Sequence, residues 1–189
     1  MDKQHKAMHS KGLARALKLR ETRYMNDTPI PSALFLREQE VRRGIELLYF
    51  GQAHLWRHID ARLAQENLGR AHQRALYFIA RKPGLNVTTL LRLLGITKQS
   101  LGRVLNELQK RDLVQSQSDP RDARQRQLFL TDSGRALEHS LFEALRAAMA
   151  EAYAAAGQQA VGGFWQVLLG LVRPEDRALL NRLPAVHNS

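Results

Sequence analysis

Five residues in one short stretch carry side chains suited to reading nucleic-acid bases: Lys98, Gln99, Ser100, Arg103 and Asn106. Glutamine can pair bidentately with adenine and arginine with guanine, while lysine and serine bring donors to base edges or phosphates. Gln99 is therefore a candidate for adenine, and Arg103 for guanine or a phosphate. Thr97, directly before them, joins the set as the residue that starts their helix. A second basic group lies in SDPRDARQR, where Asp119 and Pro120 set a turn and Arg121, Arg124 and Arg126 crowd its tip. Arginines on a thin hairpin suit a narrow minor groove, where the phosphate potential is most negative. From the residues alone, Arg124 has two available roles, groove entry or pairing with Asp122 to shape the hairpin. In isolation the first group would be an ordinary solvated helix face; its neighbours argue otherwise.

These side chains need a scaffold, and the spacing of leucines supplies one. A short helix is expected over Val87 to Leu94, with Asn86 as N-cap and Leu90, Leu91 and Leu94 on one side. Gly95 can take the left-handed backbone that reverses the chain within a few residues. Ile96 fills the turn, and Thr97 caps a second helix running to about Arg111. Leu101, Val104, Leu105 and Leu108 recur at helical spacing and form its apolar back. Two short strands come next, Leu113 to Gln117 and Gln127 to Thr131, around the charged loop. This is the outline of a winged helix-turn-helix, mainly α with a small β-wing.

The stretch resembles the DNA-binding domain of the MarR family of bacterial regulators. The matching residues are LLRLLGITKQSLGRVLNELQKRDLV, the wing signature D-x-R at Asp122 and Arg124, and LTDSGR at Leu130 to Arg135, with looser similarity over about residues 38 to 172. The resemblance implies a symmetric dimer with recognition helices in successive major grooves. It also implies a wing arginine, Arg124, in the minor groove, with Asp122 orienting the wing. One departure is Gly102, where family members often carry a polar residue able to face DNA; a glycine there weakens the helix by up to roughly 1 kcal/mol relative to alanine.

The rest of the chain reads as support. Residues 1–32 are a basic extension and linker, expected to be disordered: residues 1–24 hold seven Lys or Arg against Asp2 and Glu21, and Pro29 and Pro31 break up the stretch from Asn26 to Ser32. This arm either adds non-specific phosphate contacts or is a solvated tail ahead of a start at Met25. Residues 33–69 form an N-terminal dimerisation helix, from Ala33 or Leu36 to Gln65, striped by Val41, Ile45, Leu48, Leu55, Ile59 and Leu63. The DNA-binding domain spans 70–132 and opens with a helix over Ala71 to Arg81 that Lys82, Pro83 and Gly84 end. Residues 133–184 hold C-terminal dimerisation helices, from Ser133 to Ala156, Ala160 to Val172, and Pro174 to about Leu183; a tail, 185–189, remains. These flanking helices are too apolar to stand alone. Interleaving those of two chains would bury them and set two half-sites about one helical turn apart.

The chain has 189 residues, no cysteine and a formal net charge of +11, which favours a polyanionic partner. Disulfides, thiolate zinc sites and cysteine-based redox sensing are excluded. No apolar run approaches the roughly 20 residues that span a bilayer, and the N-terminus has no signal-peptide core, so no membrane is involved and a cytoplasmic location is expected. Catalysis has no candidate: there is no phosphate-binding glycine loop, nucleophile elbow or paired acid cluster, and adjacent His139 and Ser140 project differently on a helix. His54 and His58 lie four apart, but without a clear third ligand they read as ordinary histidines, and neither metal nor cofactor is expected. Tyr49, Phe50, Trp56, Tyr77 and Phe78 could line a cavity for a small aromatic effector, as in members of the family; core packing explains them equally well. The expected function is a dimeric, sequence-specific transcriptional regulator, repressor or activator, on a pseudo-palindromic operator in double-stranded DNA. The rivals are a sequence-tolerant architectural DNA binder and a partner-docking module.

Overall fold

A computed structural model describes residues 37–118, 125–181 and 183. The basic extension 1–32, the segment 33–36, the hairpin tip 119–124 and the C-terminal tail lie outside the described residues. By compactness the chain divides into two units, Met1–Phe50 and Gly51–Ser189.

In the first unit the described residues form the N-terminal half of helix α1 (Glu38–Gln65). Arg42 and Glu38 pair across one turn of its exposed surface. Its apolar residues are not covered: Val41, Ile45 and Leu48 are 40–45% exposed, and Tyr49 and Phe50 are 70% and 67% exposed.

The second unit contains the remainder of α1, where Ile59 and Leu63 are buried, followed by the reading head. Helix α1 ends where Asn67 takes a left-handed φ of 48° and Leu68 N–H reaches back to the Leu63 carbonyl at 2.8 Å. Helix α2 (Arg70–Arg81) is the hub, packing on α3 (Val87–Leu94), α4 (Lys98–Lys110), α5 (Asp132–Ala156) and the strand Arg126–Leu130. Leu76 and Ile79 of α2 meet Leu90 of α3, Leu101 and Leu108 of α4, Leu128 and Leu141 in one continuous apolar core. Each such buried side chain is worth about 1.5–3 kcal/mol of transfer free energy.

The strands are β1 (Leu85–Asn86), β2 (Val114–Ser118) and β3 (Arg126–Leu130). The sheet is antiparallel in the order β1-β3-β2, with Leu85 opposite Leu128 and Val114 opposite Leu130. Only β2 and β3 were expected; β1 is two residues long, too short to show alternation, and is recruited by β3 across a separation of about forty residues. Elsewhere the expected helices are present, Val87–Leu94 at the expected bounds and the others with ends moved by at most three residues where the chain is described.

Thr131 joins the wing to α5. Its hydroxyl accepts from Gly134 N–H at 3.0 Å, capping the helix, and donates to the Asp112 carbonyl. Gly134 is required by proximity: a Cβ there would stand 1.9 Å from the Leu113 carbonyl oxygen. Beyond Gly157, α6 (Gln158–Leu171) folds back on α5, and Trp165 Nε1–H donates to the Tyr153 hydroxyl at 3.0 Å. No residue of α6 is buried, and Trp165, Val167 and Leu171 are 57–65% exposed. Helix α7 (Pro174–Leu180) starts on proline, whose fixed φ suits the first helical position.

Candidate nucleic-acid interface

The turn between α3 and α4 is held at each end by side chains. Asn86 Oδ1 accepts from Thr89 N–H at 2.8 Å to start α3. Gly95 ends it at φ 62°, with its N–H on the Leu91 carbonyl. Arg74, reaching from α2, donates to the carbonyls of Leu94 at 2.7 Å and Leu93 at 3.3 Å, so a cation sits on the negative end of α3. Arg74 was not singled out by sequence reasoning. Its partners lie about twenty residues away, and no local pattern marks the contact.

Thr97 caps α4 as expected. Its Oγ1 accepts from Ser100 N–H at 3.1 Å and its hydroxyl donates to Ser100 Oγ at 2.9 Å, so the two side chains hold each other at the helix start. Leu101, Val104, Leu105 and Leu108 are buried, while Lys98, Gln99, Ser100, Arg103 and Asn106 are exposed. Gly102 is exposed with open space at its Cβ position, so the absent side chain serves no packing purpose.

Arg126 lies at the foot of the wing. Its guanidinium donates to Ser116 Oγ at 2.8 Å, the Ser116 carbonyl at 3.1 Å and Ser118 Oγ at 3.4 Å, stitching β3 to β2. Strand register could have revealed this, because Arg126 opposes Ser118 and is diagonal to Ser116. Arg121, Asp122 and Arg124 are outside the described residues.

A polar chain runs behind α4. Gly69 N–H donates to His72 Nδ1 at 3.0 Å, and His72 Nε2 lies 3.1 Å from Glu107 Oε2. With Nδ1 accepting the Gly69 N–H, Nε2 is the ring nitrogen that carries a proton and donates to the carboxylate. Arg111 donates to Glu107 Oε1 at 2.9 Å and to the Glu66 carbonyl at 2.6 Å. The Arg111 hydrogen bond, helped by the guanidinium charge and by the His72 hydrogen bond, holds the Glu107 carboxyl below its ordinary range.

The expected effector residues divide between the units. Tyr49 and Phe50 belong to the first; Trp56, Tyr77 and Phe78 belong to the second. Trp56 and Phe78 pack against the core, and Tyr77 meets Phe78 edge-on at 5.4 Å and Phe142 at 6.4 Å. A cavity of about 300 Å³ in the second unit uses none of these five; Ile79, Pro83, Phe129, Glu138 and His139 are among its walls. Burial raises the Glu138 carboxyl above its ordinary range, against the opposing influence of His139 and Arg81. His54 and His58 are exposed, and among the described residues no group of three or more His, Cys, Asp or Glu could hold a metal ion.

Residues 66–125 match the MarR family model. Over 156 residues the chain is 48% identical to the HTH-type transcriptional regulator PetP of Rhodobacter capsulatus, covering 81% of this chain and 94% of PetP. The chain belongs to the MarR family. It is a helix-turn-helix transcriptional regulator, and its homologues are regulators, not enzymes. Solved MarR-family structures share the fold. A regulator from Silicibacter pomeroyi superposes with a TM-score of 0.57 at 24% identity, over 76% of this chain and 90% of its own. CouR from Rhodococcus jostii, solved bound to p-coumaroyl-CoA, gives 0.60 at 20% identity, over 69% and 92%. Among the described residues, no helix is long and apolar enough to cross a membrane.

Proposed function

We propose that this MarR-family regulator is a cytoplasmic homodimer that reads a pseudo-palindromic operator, one α4 in each of two successive major grooves. The observation that carries the reading is the division of α4, whose leucine and valine back is buried while Lys98, Gln99, Ser100, Arg103 and Asn106 remain exposed. Arg124 enters the adjacent minor groove and Asp122 orients the hairpin. Arg121 adds phosphate contacts, while Arg126 braces the wing and reaches phosphate only at its base. The exposed apolar residues of α1 and α6 supply the dimer surface, with residues 33–69 and 133–184 as dimerisation segments around the 70–132 head. The basic extension 1–32 contributes non-specific phosphate contacts. A small-molecule effector is part of the reading: CouR, of the same fold, holds p-coumaroyl-CoA, and Trp56, Tyr77 and Phe78 are the second-unit residues offered for such a ligand.

The test is selection of bound fragments from a randomised duplex pool by the full-length protein, followed by competition with unrelated DNA. An inverted repeat with half-sites about one helical turn apart, retained at physiological salt, is the expected product. Uniform binding with no enriched repeat would favour the sequence-tolerant architectural reading.

A further inference from the structure

The polar chain behind α4 ends on a residue that adjoins the reading surface. Glu107 is four residues beyond Arg103, one turn along the same side of the helix, where an arginine and a carboxylate can meet. Among the described residues Arg103 has no ion pair, whereas both oxygens of Glu107 are engaged, one by His72 and the other by Arg111. The anchors are firm. The His72 side chain is only 14% exposed and its far nitrogen is tied to the α2 N-cap at Gly69, while Arg111 is also tied to the Glu66 carbonyl past the end of α1.

We propose that His72 and Arg111 are positioning residues that hold the Glu107 carboxylate away from Arg103, keeping that guanidinium available for the operator. Released, the carboxylate would compete with guanine or phosphate for the same cation and place a negative charge beside the DNA backbone. None of the three need touch a base. The triad sets the charge presented by α4 one turn from its reading residues, and it ties that charge to the α1–α2 junction. This inference rests on the reading that α4 enters the major groove.

The experiment measures affinity for the selected duplex and for scrambled duplex, with thermal melting in parallel, for wild type, Arg111→Gln, Glu107→Gln and the double variant. Arg111→Gln is expected to weaken binding to the selected duplex about tenfold, roughly 1.4 kcal/mol. Glu107→Gln alone should stay near wild type. In the double variant, removing the freed charge should restore affinity to within about threefold of wild type, although the melting temperature is not restored. A double variant as weak as Arg111→Gln would overturn the proposal, assigning Arg111 a direct phosphate contact or a purely structural role. So would Arg111→Gln binding with wild-type affinity. If wild type itself prefers no duplex, the groove reading has failed instead, and the selection step reveals that before any variant is made.

Discussion

Helices α4 and α6 are of similar length, 13 and 14 residues, and both carry large apolar side chains, yet those side chains meet opposite fates. In α4 four apolar residues are at most 8% exposed, closed in by α2, α3 and the wing. In α6 nothing is buried, and Phe164, Trp165, Val167, Leu169 and Leu171 remain open to solvent. The head therefore completes its core within one chain, while the C-terminal hairpin holds together locally through the Tyr153–Trp165 contact and leaves its apolar side chains exposed. On the dimeric reading proposed above, stability and assembly rest on different helices, and each should be open to perturbation without the other.

The largest expected effect is on the head. Leu108→Ala, at a site with no exposure, should cost about 2–5 kcal/mol, read as a lower denaturant midpoint with unchanged slope. If it proved harmless, the view of α4 as clamped by its own chain would be lost. Gly134→Ala forces a Cβ onto the Leu113 carbonyl and should cost about 1–3 kcal/mol or more, with the wing strands losing amide-exchange protection first. On the opposite face of α4, Arg103→Ala should leave the melting temperature within about 1 °C, since surface changes are usually within about 0.5 kcal/mol, and cost about 1–3 kcal/mol of specific binding.

Leu169→Asp should have the reverse profile. Its effect on single-chain folding is expected to be under about 0.5 kcal/mol, while sedimentation at low micromolar concentration should show the dimer shifted to monomer. A wild-type monomer under the same conditions would remove the contrast altogether. The smallest effect concerns Glu138. Its carboxyl holds its proton more tightly when folded than when unfolded, so the folded state binds more protons in that window. Stability should accordingly fall as pH rises from the ordinary glutamate range towards the raised folded value. Glu138→Gln should flatten that part of the stability–pH curve, and a curve unchanged in shape would mean that the carboxyl is well hydrated.

Local chemistry announced most of the reading pair. Asn86, Gly95 and Thr97 act within three or four residues, so their roles as cap, turn and cap were readable from order alone. The leucine spacing of α4 carried the buried face as well. Arg126 shows what such reading leaves out: an arginine in a basic hairpin reads as a DNA contact, and the order of residues does not show that it also donates to Ser116 and Ser118 across the sheet. The contacts of Arg74 with Leu94, His72 with Glu107 and Arg111 with the Glu66 carbonyl were silent because they join residues twenty to forty-five positions apart.

Periodicity and capping are properties of neighbours in the chain, and they sufficed to set the helix order, the helix-turn-helix and the identity of the exposed row on α4. Which apolar stripe would be covered, which cation would be occupied, and that Leu85 and Asn86 would form a strand depended on surfaces brought together only when α2 docks at the centre. A stripe of leucines states that burial is favourable without naming the partner, and an arginine states a charge without naming its acceptor. Those choices belong to packing, where contacts between distant segments decide them.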